Sequence, residues 1–255
     1  MNLKLLNIFY ELGVHIGEPT NKLYPVNSFF ISGTRNNLHI INLEITIFFT
    51  RKACRFLKFI GSKNNHLFFY YSNLNLLDKK LVSFFVYHIY KNNHSFVFNT
   101  WKHGLLSNFN MQALDILFDL FPEKKKTNYN FNFTSLLFRL IFFSFKTKEI
   151  GIDWFKHLKL IKKYWRFFTF YCFFKNLNVV PDVSIIINSN KMITPIKECN
   201  SLKIPVIGLV DTDTNIKYFT YPIPSNDNSF LISSFFFLLF MNSYSHGSLS
   251  NLENY

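Results

Sequence analysis

Residues 181–228 read PDVSIIINSN KMITPIKECN SLKIPVIGLV DTDTNIKYFT YPIPSNDN. This stretch decides the fold. Val183–Ile187 and Pro205–Val210 are short apolar runs rich in Val and Ile, each closed by a polar turn. Runs without a polar face suit parallel strands buried on both sides. Between them Ile196, Cys199 and Leu202 recur every third residue, which predicts a short helix. Thr194 before Pro195 reads as its N-cap with proline at the first helical position. Strand, helix, strand makes a βαβ crossover. Tyr221-Pro222-Ile223-Pro224 then fixes an extended segment before the next helix.

The rest of the chain repeats the alternation. Residues 3–12 predict an amphipathic helix ending at Gly13, followed by a loop over 14–20. Ser28–Ile41 reads as two extended pieces around Gly33–Asn37. Asn42 caps a helix with Glu44 in its first turn, a buried stripe of Ile45, Phe49, Ala53, Phe56 and Ile60, and Gly61 as its end. Arg51, Arg55 and Lys58 fall off that stripe. His66–Tyr71 and Ser95–Phe98 read as strands, Leu74–Tyr90 as a helix. Such alternation predicts an α/β fold, a parallel three-layer sheet of flavodoxin-like or Rossmann-like type.

Composition narrows the partners. There are 28 basic and 15 acidic residues, a net charge of +13, which favours a polyanion: nucleic acid or an anionic membrane surface. The charge is uneven. Residues 111–175 hold twelve basic and five acidic residues, net +7, whereas 200–255 carry −2. Phe occurs 34 times, Asn 30 times and Ala twice, and lysines outnumber arginines 23 to 5. These are the residues of A/T-rich codons, a bias common in mitochondrial genomes. Cys54, Cys172 and Cys199 lie far apart without a CxxC pair, so neither a zinc site nor a disulfide framework is expected. The apolar run Phe230–Met241 is too short to span a bilayer as a helix, and no membrane insertion is expected.

Several segments together resemble a known family. PDVSIII, IKECNSLKIPVIGLVDT and YPIPSND, in this order and spacing, resemble the signature of the universal S2 family of small-subunit ribosomal proteins. SGTRNNLHIINLE at 32–44 is similar to that family's FGxRNGxHIINLE, with Asn37 for glycine. FNTWKHGLLSN at 98–108 is similar to NxRWLGGxLTN, with Thr100 for the arginine and Lys102-His103 for leucine and glycine. Val14–Thr20 resembles HxGHxT, with Glu18 for the second histidine. Lys203 stands where the family often has glycine, a position suited to φ > 0. Either the helix ends differently there, or Lys203 carries modest strain.

The resemblance implies a structural constituent of the small ribosomal subunit that binds rRNA and neighbouring ribosomal proteins in translation. It also implies a helical hairpin inserted in the sheet domain, remodelled here. The expected organisation is an α/β domain over 1–110 and 176–243, a basic helical insert over 111–175, with helices at 111–121 and 153–174, and a flexible tail over 244–255. With codon bias and a family pattern beginning almost at Met1, the expected location is the mitochondrial ribosome, with the protein made inside the organelle. Lys22, Arg35, Lys102, His103, Lys124, Lys125 and Lys126 are the candidate RNA contacts. Trp101 reads as a packing residue and His15 as a buried imidazole.

Two other classes compete. A peripheral protein on an anionic membrane would use basic residues interleaved with Phe, as in Lys156–Phe174. A flavodoxin-like nucleotide-binding enzyme would need a phosphate cradle, but there is no GxGxxG, no P-loop pattern and no GxSxG. Asp182 precedes its strand while Asp211 and Asp213 follow theirs, so no acidic pocket is expected from the three. No enzyme activity, cofactor, metal or small-molecule substrate is expected.

Overall fold

The first helix, α1 (Leu3–Glu11), stops where Gly13 turns left-handed at φ 76°. The Gly13 N–H donates to the Tyr10 carbonyl at 3.1 Å and the Val14 N–H to that of Phe9 at 3.0 Å. This is the paired bonding of a Schellman motif, and Phe9 and Val14 at its two ends are both buried. β1 (Ile16–Pro19), two 3-10 turns (Thr20–Lys22 and Pro25–Phe30), β2 (Ile31–Arg35) and β3 (Leu38–Ile41) follow. They form an antiparallel sheet in the order β1-β3-β2. Asn36 and Asn37, both left-handed at φ 51° and 60°, make the β2–β3 turn, as a two-residue hairpin requires. Residues 14–20 were expected to be a loop. Ile16–Pro19 is instead a strand, because β3 supplies its ladder partners, Ile40 for Ile16 and Leu38 for Pro19.

In this computed structural model the described residues are 3–71, 94–98, 101, 103–108, 180–187 and 193–252. The chain divides into two compact units, Met1–Ser107 with Asn176–Tyr255, and Asn108–Lys175. Every strand and helix among the described residues belongs to the first. The expected helices at 74–90, 111–121 and 153–174, and with them the inserted hairpin, lie outside the described residues.

α2 (Leu43–Ser62) begins as expected: the Asn42 side chain accepts the Glu44 N–H at 2.9 Å. Its buried stripe differs from the predicted one. Thr46, Ile47, Thr50, Ala53, Leu57, Ile60 and Gly61 face inward, while Ile45, Phe49 and Phe56 are half-buried. The two threonines are tolerated because Thr46 Oγ1 donates to the Pro224 carbonyl and Thr50 Oγ1 to that of Thr46, each at 2.7 Å. Nor does Gly61 end the helix. The chain runs on to a second Schellman turn, with Asn64 left-handed at φ 53°.

Five parallel strands make the main sheet: β4 (Leu67–Tyr71), β5 (Ser95–Phe98), β6 (Val183–Ile187), β7 (Val206–Val210) and β8 (Tyr221–Pro224). Their order is β5-β4-β6-β7-β8, the flavodoxin-like succession in which the first strand lies between the second and third. α3 (Ile193–Ser201) links β6 to β7 and starts one residue before Thr194, which therefore sits in its first turn rather than capping it. Pro222 and Pro224 are accommodated because β8 is an edge strand.

α4 (Phe230–Leu252) completes three layers. Alternate residues along each strand face opposite sides. Phe69 meets Phe237 of α4 at 5.2 Å between ring centroids, and Tyr221 stacks on Phe56 of α2 at 4.4 Å. On the other face Phe68 and Tyr70 meet Trp101 edge-on at 6.0 and 5.1 Å, which makes Trp101 a packing residue.

Three of the five phenylalanines of the 230–241 run are core and the other two are half-buried. Phe236, Phe237 and Phe240 are buried, and Phe9 meets Phe235 and Phe236 at 5.8 and 5.6 Å. Each such ring contributes about 1.5–3 kcal/mol by leaving water. Among the described residues no helix is long and apolar enough to cross a membrane. The flexible tail expected from Tyr244 is corrected as far as Leu252: α4 continues because its last turns pack on α2. A Cβ on Gly61 would run into the Tyr244 carbonyl, and one on Gly247 into that of Lys58. The two helices therefore touch backbone to backbone, and Tyr244 adds a bond from its hydroxyl to the Asn65 carbonyl at 2.9 Å.

Candidate nucleic-acid interface

In a parallel sheet of this order, ligands bind outside the carboxyl ends of the strands. At β7 and β8 those ends are occupied by the chain's own N-terminal segment. The Asn27 amide, buried, donates to the carbonyls of Asp211, Thr212 and Thr214 at 3.2, 3.0 and 2.6 Å. The Tyr24 N–H bonds the Thr212 carbonyl at 3.0 Å, and the Glu18 N–H bonds Thr212 Oγ1 at 3.1 Å. Gly17 is pressed so close that a Cβ there would lie 2.7 Å from Thr212 Cγ2. The Asn226 N–H donates to the Val14 carbonyl at 3.2 Å. The Asp-Thr-Asp-Thr loop after β7 is thus a docking platform for the small sheet.

Acidic groups meet beneath this cover. Asp211 Oδ1 accepts the Thr212 N–H at 2.6 Å. Burial, then the neighbouring Asp227, with smaller effects from Asp213 and Glu18, pushes the Asp211 carboxyl up to about 8. Asp182 lies at the other end of the sheet, accepting the His66 N–H at 2.8 Å. The expected separation of Asp182 from Asp211 therefore holds. The company of Asp227 was missed. The signal was available: β7 and β8 run in register to Val210 and Pro224, so the loops that leave them must meet. Among the described residues no group of three or more His, Cys, Asp and Glu is placed to hold a metal ion.

The predicted contact residues divide by location. Lys22 is exposed on the first 3-10 turn, its Nζ 3.1 Å from Glu18 Oε2. Arg35 is exposed at the end of β2. The two share one end of the small sheet, where the Thr20 N–H donates to the Asn37 carbonyl at 2.9 Å. Glu18, the replacement for a family histidine, also accepts Asn228 Nδ2 on Oε1 at 2.6 Å and so ties β1 to the turn after β8. His103 is exposed in the loop after β5, the opposite edge of the main sheet. Lys102 and Lys124–Lys126 lie outside the described residues. His15 is half-buried and stacked on Tyr10 at 4.7 Å, and burial lowers its pKa.

The loop carrying His103 is anchored by one carboxylate. Glu198 of α3 accepts Trp101 Nε1–H at 3.0 Å on Oε2. Its Oε1 accepts the N–H groups of Leu106 and Ser107, both at 2.8 Å, and the Ser107 hydroxyl at 3.0 Å.

The family model for ribosomal protein S2 matches residues 9–131 and 155–247. The chain belongs to the ribosomal protein S2 family. It is thereby a structural protein of the small ribosomal subunit and not an enzyme. Among its relatives, the small ribosomal subunit protein uS2c of Galdieria sulphuraria is 31% identical over 221 residues, 85% of this chain and 82% of the relative. The uS2c protein of Euglena gracilis is 30% identical over 238 residues, 92% of this chain and 88% of the relative. The bacterial uS2 of Karelsulcia muelleri is 27% identical over 221 residues, 87% and 89% of the two chains. Residues 132–154, between the two matched blocks, fall inside the basic 111–175 region.

Proposed function

We propose that this chain is a structural constituent of the mitochondrial small ribosomal subunit, binding small-subunit rRNA and neighbouring ribosomal proteins. The observation that carries the reading is the family match across both halves of the sheet domain. The covered ends of β7 and β8 favour a scaffold over a ligand site there. The net charge of +13 favours a polyanionic partner. Phe, Asn and Lys enrichment favours an A/T-rich organellar genome, with the protein made where it works. Lys22, Arg35, Lys102, His103, Lys124, Lys125 and Lys126 meet phosphate, and 111–175 acts as a basic helical insert. No base code is implied, because A-form RNA is recognised through backbone, shape and 2′-hydroxyls.

Sedimentation tests the reading. Ribosomes from purified mitochondria are resolved on a low-salt gradient, and the protein is expected in the small-subunit fraction. Its absence there with recovery from plastid ribosomes overturns the mitochondrial part, and its absence from both overturns the ribosomal reading. For each lysine that meets phosphate, neutralisation flattens the plot of log affinity against log salt by about 0.7–0.9. An unchanged slope removes that lysine.

A further inference from the structure

The outer face of α2 is the described surface whose chemistry the contact residues above do not use. Phe48, Arg51, Lys52, Arg55, Lys58 and Phe59 are all exposed. At helical spacing Phe48, Arg55 and Phe59 form a central line, with Arg51 and Lys58 on one flank and Lys52 on the other. Phe48 is 64% and Phe59 53% exposed, so the line carries two open aromatic rings among its cations. The only acid on the helix is Glu44, confined to its first turn.

The arginines sharpen the case. The chain has 23 lysines and 5 arginines, yet two of the five stand one helical turn apart on this face. Arginine offers a planar fork of donors that matches phosphate, where lysine offers a point charge. Arg51 to Lys58 spans about 10 Å of helix, enough for a row of cations along a strand. The rings add what a duplex backbone does not need. A basic track with aromatic platforms is the arrangement that holds unpaired nucleotides, phosphates on the cations and bases on the rings. Lys63 Nζ already lies 4.3 Å from the Phe59 ring centroid, so Phe48 is the freer platform.

We infer that the outer face of α2 docks an unpaired segment of RNA. The inference rests on the RNA-binding reading above and adds a surface to it. Arg51 and Arg55 hold consecutive phosphates, and Phe48 stacks on a base.

The test uses the full chain with a fluorescent single-stranded oligouridylate and a matched RNA duplex, titrated across a salt series. Arg51→Gln with Arg55→Gln is expected to lower the salt slope for the single strand by about 1.4, two contacts at about 0.7 each. Phe48→Leu is expected to leave that slope unchanged and weaken single-strand binding about tenfold, with duplex binding unaffected. Lys217→Gln, exposed on another surface, is the charge control and is expected to change nothing. All six side chains are exposed, and near-ultraviolet circular dichroism of each variant is expected to match the parent. An unchanged slope in the double variant overturns the inference. So does an equal effect of Lys217→Gln, which would mark diffuse charge, or an equal loss of duplex binding in Phe48→Leu. Loss of binding to phosphatidylserine vesicles with RNA binding intact overturns it in favour of a membrane. If the double variant keeps its slope but still sediments with the small subunit, the α2 inference fails alone and the ribosomal reading stands.

Discussion

Glu198 and Trp101 are joined at 3.0 Å, carboxylate to indole N–H, across β4, the strand between β5 and β6. The bond ties the loop after β5 to the helix after β6, and the same carboxylate holds the Leu106 and Ser107 amides. Glu198→Ala is expected to cost about 2 kcal/mol in urea unfolding, because charge-assisted bonds are lost and backbone N–H groups are left without an acceptor. Glu198→Gln keeps one acceptor oxygen and is expected to cost about 1 kcal/mol. Hydrogen exchange at Leu106 and Ser107 is expected to quicken more in the alanine variant. Equal behaviour of the two variants would count against the clamp.

Where α2 meets α4, the backbone itself is the packing surface. Gly61→Ala and Gly247→Ala each drive a methyl into a carbonyl, and neither carbonyl is free to rotate away as a side chain would be. Each is expected to cost about 3 kcal/mol, the upper end of overpacking, and to lower the thermal midpoint. Truncation after Ser243 is expected to be at least as harmful, since it removes Tyr244 and Gly247 together. Parent-like melting of the truncated chain would return 244–255 to the status of a tail.

Lys203 resolves the choice left open by its sequence. Its φ is 59°, and the Ile204 N–H to Cys199 carbonyl bond at 2.9 Å closes a third Schellman motif. The helix ends as a glycine-terminated helix would, with a lysine bearing the left-handed conformation. Lys203→Gly is expected to stabilise the protein by about 1 kcal/mol, read from the shift in urea midpoint. A destabilised variant would show that the lysine side chain contributes more than its backbone strain costs.

These cases show what was legible. Val183–Ile187 was read to the residue and Val206–Val210 to within one, because a strand buried on both faces has few alternatives. The Asn42 cap was local chemistry and readable; the turn read over Gly33–Asn37 narrows to Asn36–Asn37, because Gly33, Thr34 and Arg35 pair with β3 as part of β2. β1 was missed since Gly17 and Pro19 break its pattern, and its strand character comes from β3. The α2 stripe was displaced because Thr46 and Thr50 are polar by composition but satisfied in place. Gly61 reads as a stop signal unless the Tyr244 carbonyl is known to sit on it. The exposure of Arg35 followed from its place next to the turn, whereas the pairing of Lys22 with Glu18 needed the side chains.

Two buried groups set opposing responses to pH. Asp211, pushed up to about 8, holds its proton more tightly folded than unfolded, where its ordinary value is 3.8. Its stabilisation is present in full below about pH 4 and is lost as pH rises through about 8. His94 is pushed down to about 3, mainly by burial and then by His66, from an ordinary 6.5. Its contribution is lost as pH falls below 6.5, because the unfolded chain takes up the proton. Each slope is at most about 1.4 kcal/mol per pH unit, and between about pH 4 and 6.5 they oppose. Asp211→Asn, which keeps an acceptor for the Thr212 N–H, is expected to unmask a stability that rises with pH in that window. It is also expected to be more stable than the parent near pH 8. Parallel curves for parent and variant would refute the assignment.

The contact between Asn27 and Asp211 joins residues 184 apart in sequence, and that between Glu18 and Asn228 joins residues 210 apart. A chain made from its N-terminus at the ribosome therefore exposes its first sheet long before the loop that receives it exists. α2 waits longer still, because α4 follows that loop in the chain. The small sheet and α2 therefore stay unassembled until the chain has been made past Asp211, and the domain closes only once α4 has emerged.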